Sequence, residues 1–536
     1  MKRIISLSLA FVLLLGSLAG CNKKQEVKQL DGLPEGTYTL TVGLPQYSVI
    51  SDYDENAFTR YLEETANVNI EFVGFSSTGS EYAQQLALMC SANEKLPDVL
   101  LGFKLGRYVM NQYGEDGYFV DLNDYIDDYA PNFKSKLEEL DPETREYVLE
   151  KGKHLETGAY YGMPRVECEA TDLLQSMMHI NKTWLDNLGL EVPTTLAELR
   201  EVLYAFKTQD PNGNGEADEI PMLGKEGIMN YVINAFVQYH QNNFNVTNGK
   251  VWDPIKTQEF RDAIIYLNQM VKDGIYPSLC FSITSDTEYK NLISPTDGPS
   301  KVGIFVGHPE RMTSANTDAL NEFIALPALK DETGKGGYTI TRTPEISWQA
   351  FVTKDCEYPA AAVKFLDTWY LDETMTVQRH GEKGVDWVEE KGKTPYGTDA
   401  HIKVINSEAF FSGNSTWAVN VLGIMTHWNY LAIQQEGEGR NAQAGRIQVE
   451  LWDAMQNGKK VKEVADNLIY TDSEYETREE YAGQADSYIV QETKLFVAGE
   501  KNPASDAEWN AFIDTLYNEL RRDKLFEVCK SAYSRN

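Results

Sequence analysis

Histidine and cysteine are scarce in this sequence, and the patterns they fail to form narrow its chemistry. Its seven histidines include none that opens an HExxH pair, and neither a GxSxG nucleophile elbow nor a GxxxxGK[ST] phosphate loop occurs. Zinc-peptidase, serine-hydrolase and phosphate-loop chemistry therefore lack their usual carriers. Past Cys21, five cysteines remain: Cys90, Cys168, Cys280, Cys356 and Cys529. They are scattered, odd in number and without CxxC spacing, which indicates neither a disulfide framework nor a zinc site. Basic residues are also short, 49 Lys and Arg against 81 Asp and Glu, for a net charge of -32. Such a chain is repelled by nucleic acid and by anionic lipid. Beyond the first twenty residues no run is long and apolar enough to cross a membrane. No repeat or low-complexity stalk supports an adhesion or assembly role.

The one long apolar run, Ile4 to Leu18, follows the cations Lys2 and Arg3 in the layout of a secretory signal. It closes on Leu18-Ala19-Gly20-Cys21, which resembles the bacterial lipobox. That resemblance implies cleavage just before Cys21 and acylation of its thiol by a diacylglycerol, since one acyl chain alone holds a protein only marginally. Residues 21–36 would be the lipidated start and polar tether, and loss of Lys2 and Arg3 takes the charge from -32 to -34. The expected location is extracytoplasmic, anchored to the cell membrane.

A chain of 536 residues exceeds one ordinary core, so two lobes are expected. Tyr38–Leu44 alternates as a strand, Asn56–Thr65 reads as a helix, Val68–Val73 as a strand, Glu81–Ser91 as a helix and Pro97–Gly102 as a buried strand. This alternation is the signature of an α/β lobe with a parallel sheet. Ligands of such sheets bind beyond the carboxyl ends of the strands, where the loop Pro45–Asp52 carries Gln46 and Tyr47. Tyr47 is therefore a candidate ligand contact.

Further motifs carry a family resemblance. Gly117-Tyr118-Phe119-Val120-Asp121-Leu122-Asn123, Gly162-Met163-Pro164-Arg165, Thr183-Trp184-Leu185-Asp186-Asn187-Leu188-Gly189-Leu190, Lys301-Val302-Gly303-Ile304-Phe305, Tyr358-Pro359-Ala360-Ala361 and Gly381-Glu382-Lys383-Gly384-Val385-Asp386-Trp387 follow one another in order. Together they resemble the carbohydrate-binding lipoproteins of the extracellular solute-binding superfamily, in particular the alginate-oligosaccharide-binding-like group. His179-Ile180-Asn181-Lys182 departs from that pattern, where the family often has an arginine and an acidic residue. The resemblance implies an α/β, two-lobed, hinged, periplasmic-binding-protein-like fold of type II with its cleft between the lobes. Residues 37–166 and 300–370 would form lobe 1, and residues 167–299 and 371–536 a helix-rich lobe 2. The implied role is the binding component of an ABC importer, a monomer that delivers a carbohydrate to permease subunits and does no chemistry on it.

A pyranose offers flat C–H faces and many hydroxyls, so its site needs aromatic platforms beside hydrogen-bonding groups. Trp348, in the loop-like stretch Pro344–Gln349, and Trp417, at the end of the turn-like stretch Ser412–Trp417, are the candidate platforms; Arg165, at the first crossing between lobes, is a candidate polar contact. Trp184, Trp369, Trp452 and Trp509 sit in helical patterns and read as core. A secreted glycoside hydrolase would share the acidity, aromatics and location. Its defining pair of carboxyls flanking one bond is a distance that sequence does not state.

The segment Asp210-Pro211-Asn212-Gly213-Asn214-Gly215-Glu216-Ala217-Asp218-Glu219-Ile220-Pro221 places oxygen side chains at positions 1, 3, 5 and 9 with glycine at 6, the start of a calcium loop whose position 7 supplies a main-chain carbonyl. Hard oxygen donors on a glycine-containing loop suit calcium. Position 12 is Pro221, so the loop is not a standard EF-hand. It resembles the calcium site of alginate-oligosaccharide-binding proteins, which implies Glu219 as a further ligand. The expected set is Asp210, Asn212, Asn214, Asp218 and Glu219 by side chain and Glu216 by main chain, with a structural role for the ion.

Overall fold

A computed structural model describes residues 37–48, 50–167, 178–224, 226–240, 243–307, 317–331, 333–340, 345–393, 399–406, 417, 421–425, 450, 459–461 and 468–535. Cys21 and the leader, Cys168 and Trp452 lie outside them. The opening alternation folds as β1 (Tyr38–Pro45), α1 (Ala57–Ala66), β2 (Val68–Phe75), α2 (Gly79–Ser91) and β3 (Val99–Leu105). β1 lies between β2 and β3, parallel to both, with Tyr38 opposite Val68 and Val42 opposite Val99. At Gly43 a Cβ would stand 2.9 Å from both Phe75 and Pro97, so the side chain is missing where the layers meet. Asn56 caps α1 by accepting from the Phe58 N–H, and Asn67 ends it in the left-handed region at φ 54°, which Asn tolerates better than most residues.

Three segments remote in sequence complete a six-stranded sheet, in the order β2, β1, β3, Glu345–Val352, β4 (Met163–Glu167), Gly423–Met425. Glu345–Val352 runs antiparallel to both β3 and β4, while Gly423–Met425 is parallel to β4. Apolar side chains cover both faces. Leu40, Val42, Phe58, Val99 and Leu101 pack with Phe365, Leu366 and Trp369 on one. On the other Leu100, Phe103 and Leu105 pack with Leu86, Met110 and Phe351. A sheet covered on both faces accounts for the apolar run Val99-Leu100-Leu101 without alternation.

The second core is separate. β5 (Met178–Asn181) sits between Ile304–Val306 and Phe323–Ala325, antiparallel to each. Trp184, Phe206, Ile228, Phe260 and Leu267 pack around it with Ile489, Phe496, Trp509 and Phe512. Trp184, Trp369 and Trp509 are all buried, as the helical patterns indicate. Among the described residues the chain changes core three times, between Val166 and Met178, Leu329 and Ile346, and Ile424 and Ala485.

Two expected spans divide differently. Val302, Ile304, Phe305, Phe323 and Leu329 pack in the second core rather than the first, because residues 304–306 pair with β5. Val377, Trp387, Trp417, Leu422 and Ile424 pack in the first core rather than the second, because Gly423 continues the large sheet beside Arg165. The Gly381–Trp387 turn is braced within itself, Trp387 Nε1 donating to Gly381 O and Asp386 accepting from the Glu382 N–H, and from outside by Asn406 Nδ2, which donates to Asp386. No helix among the described residues is long and apolar enough to cross a membrane.

Candidate functional site

The chain leaving β1 does not turn straight into α1. It forms a loop in which the Ile50 N–H donates to Tyr47 O, the Tyr47 N–H donates to Tyr53 Oη and Asp52 Oδ1 accepts from the N–H groups of Asp54 and Glu55. Between this loop and the edge strand β2 lies an open pocket of about 790 Å³, lined by residues including Tyr47, Tyr53 and Phe72 with Asp52, Asp54 and Glu71. It runs from the loop after the carboxyl end of β1, the side on which open α/β sheets take their ligands, back along the outer edge of β2 at Ile70, Glu71 and Phe72, and no residue of the second core lines it. Tyr47 is 51% exposed there.

The two candidate tryptophans lie elsewhere. Trp348 belongs to the strand Glu345–Val352, opposite Leu105 and Pro164, and is 4% exposed. Trp417 is 6% exposed, its Nε1 donating to Thr59 Oγ1, with the rings of Phe58, Phe72 and Trp369 edge-on around it. Neither stands exposed on a loop, as their local sequence suggests. Trp417 touches the pocket only from behind, through Phe72 and Tyr53. Arg165 is 3% exposed, held in β4 between Ser347 and Gly423, so it too lies within the sheet.

A contact between the cores that sequence reasoning missed involves α3 (Arg107–Glu115), which follows β3. Tyr108 stacks on Tyr475 with centroids 4.5 Å apart and planes 16° from parallel. Tyr475 opens the helix Asp472–Ala498, whose Ala485, Ile489, Phe496 and Val497 pack in the second core. Nothing local marks either tyrosine, since the pair spans more than three hundred residues.

The loop 210–221 is arranged by its own polar groups. Asp210 has φ 46°, and its carboxylate accepts from the N–H groups of Asn214 and Gly215. Asn212 and Asn214 donate through Nδ2 to Asp218 Oδ1, and Lys301 Nζ lies 2.6 Å from Asp218 Oδ2. Hydrogen bonding to Lys301 holds the Asp218 carboxyl below its ordinary range. Burial, followed by the nearby Asp210 and Asp218, pushes the Glu219 carboxyl up. Glu219 Oε1 is buried with no hydrogen-bond partner, an atom that a cation would satisfy. The donor set is all oxygen and so fits calcium; Asn212 and Asn214 now face Asp218 with Nδ2 and would have to turn their Oδ1 atoms toward the ion. As the side chains stand, no group of three or more His, Cys, Asp or Glu among the described residues is gathered closely enough to hold a metal.

Residues 47–274 match the model of the bacterial extracellular solute-binding proteins. A curated relative, the fructooligosaccharide ABC transporter substrate-binding protein FusA of Streptococcus pneumoniae, is 29% identical over 289 residues, 50% of this chain and 51% of its own. The chain spans about half the length of the curated relatives it matches. The structure of FusA in complex with kestose superposes with a TM-score of 0.74 at 19% identity, covering 93% of this chain and 99% of that one. An HMO-binding, ABC-transporter-associated solute-binding protein from Bifidobacterium longum infantis superposes at 0.75 and 22% identity, again over 93% and 99%. Alginate-binding AlgQ2 without calcium ion gives 0.66 at 18% identity over 94% and 99%. A FusA EF-hand mutant in complex with fructo-nystose is also among the matching structures, with a TM-score of 0.71 at 19% identity. The superpositions show that this chain has the α/β solute-binding fold.

Proposed function

From a chain that has the solute-binding fold and over residues 47–274 belongs with the bacterial extracellular solute-binding proteins, we propose a lipid-anchored binding component of an ABC importer that captures an oligosaccharide and delivers it to permease subunits. One observation carries the reading: two separately packed cores between which the described chain crosses three times; the aromatic-lined pocket beside β2 is lined by first-core residues. A ligand that touches both cores favours the closed form, by no more than its preference for closed over open. The rings of Tyr47, Tyr53 and Phe72 in its wall supply the apolar surface on which the C–H faces of a sugar would pack. Anchoring would be through Cys21. A structural calcium would be held by Asp210, Asn212, Asn214, Asp218 and Glu219 side chains and the Glu216 carbonyl. The chemistry such an ion supplies is cross-linking of the loop, while this chain's own residues set its position.

Purified protein incubated with a glycan panel tests the function. The expected result is a melting temperature that climbs with the concentration of some oligosaccharide while the glycan stays intact. Turnover of that glycan, or no stabilisation across the panel, would overturn the proposal.

A further inference from the structure

The walls of the pocket beside β2 also bear on which carbohydrates it admits. Asp52, Asp54 and Glu71 line it beside Tyr47, Tyr53 and Phe72, and no lysine, arginine or histidine among the described residues does. None of the three acidic side chains is engaged in an ion pair among the described residues. Asp52 is partly committed, capping the turn through the Asp54 and Glu55 N–H groups; Asp54 and Glu71 are exposed. The surrounding field has the same sign, since the whole chain carries -32.

A neutral sugar suits such a wall. Its hydroxyls donate to carboxylate oxygens in charge-assisted hydrogen bonds, while its C–H faces lie on the rings. A uronic acid brings a carboxylate of its own against like charges, with no cation in the wall to offset them. We propose that this pocket selects neutral oligosaccharides and discriminates against uronic-acid oligosaccharides of the same size and linkage. The inference rests on the carbohydrate-capture reading and adds charge specificity to it.

Calorimetric titration with matched pairs tests it, galacto-oligosaccharides against oligogalacturonates and manno-oligosaccharides against oligomannuronates. For whichever pair binds, the neutral member is expected to bind at least about tenfold more tightly at low salt, and the ratio should shrink as ionic strength rises. An Asp54→Asn, Glu71→Gln double variant, checked for an unchanged circular dichroism spectrum, should narrow the ratio several-fold. Equal or tighter binding of the uronate by the wild type overturns the charge specificity and leaves carbohydrate capture standing. A ratio unchanged in the double variant overturns its assignment to this pocket. If no carbohydrate of a broad panel binds, the capture reading fails, and this inference with it.

Discussion

Thr59 serves two neighbours at once, its hydroxyl donating to Tyr53 O and accepting from Trp417 Nε1. Through it, a pocket residue and a core residue are tied together. Trp417→Ala is therefore expected to cost about 3–5 kcal/mol of stability, the range for deleting a large buried ring. It should also loosen Tyr53 and Phe72, and so weaken ligand binding indirectly. Tyr47→Ala, at a half-exposed position, should change stability by no more than about 0.5 kcal/mol while weakening binding directly. Denaturant unfolding beside ligand titration separates the two; a Trp417→Ala protein as stable as wild type would sink the core assignment. The residues before Trp417, Ser412-Gly413-Asn414-Ser415-Thr416, have turn composition, whereas the ring is buried against partners remote in sequence, Tyr53, Phe58, Thr59, Phe72 and Trp369 among the described residues. The exposed place of Tyr47 in a loop was legible because its cue is local: a strand followed by a loop at the carboxyl end.

The loop 210–221 behaves as a unit whose backbone is set by Asp210 and whose acidic groups crowd one another around Asp218 and Glu219. Calcium titration should raise the melting temperature of the wild type and leave an Asp210→Ala, Asp218→Ala double variant unmoved. A wild type indifferent to calcium and to chelator alike, with no ion by elemental analysis, argues against the site. The helix Asp472–Ala498 starts with a Thr471–Glu474 capping box, and Arg535 pairs with Glu474 from the last turn of the chain. Burial pushes the Glu474 carboxyl up, but Arg535, Thr471 and Ser531 outweigh it and hold it at about 2. Because the folded value lies below the unfolded one, this stabilisation is complete above about pH 4.5 and fades as pH falls toward 2. Arg535→Ala should flatten that part of the acid-denaturation curve; an unchanged curve would show that the pair contributes nothing. The capping box is readable from Thr471-Asp472-Ser473-Glu474, whereas its link to Arg535 is purely tertiary.

The proposed function requires the two cores to close on a ligand. The right ligand should lower the radius of gyration in solution scattering. Tyr475→Ala, which removes the stacked contact with Tyr108, should weaken ligand affinity several-fold by favouring the open form. Scattering curves identical with and without a saturating ligand would rule out closure. Cys21→Ala should leave an uncleaved precursor, and normal processing with detergent-phase partitioning in that variant would refute the lipid anchor. Strand and helix alternation from Tyr38 to Gly102 and the core character of Trp184, Trp369 and Trp509 were determined by sequence alone. Each depends on periodicity or on neighbours within a few residues. Tertiary structure alone decided that Val302, Ile304, Phe305, Phe323 and Leu329 join the second core, that Val377, Trp387, Trp417, Leu422 and Ile424 join the first, and that Trp348 and Trp417 are sealed inside. Those outcomes hang on strand pairings such as Ile304 with Ile180 and Gly423 with Arg165, whose partners lie more than a hundred residues away, and no local pattern encodes a pairing over such a distance.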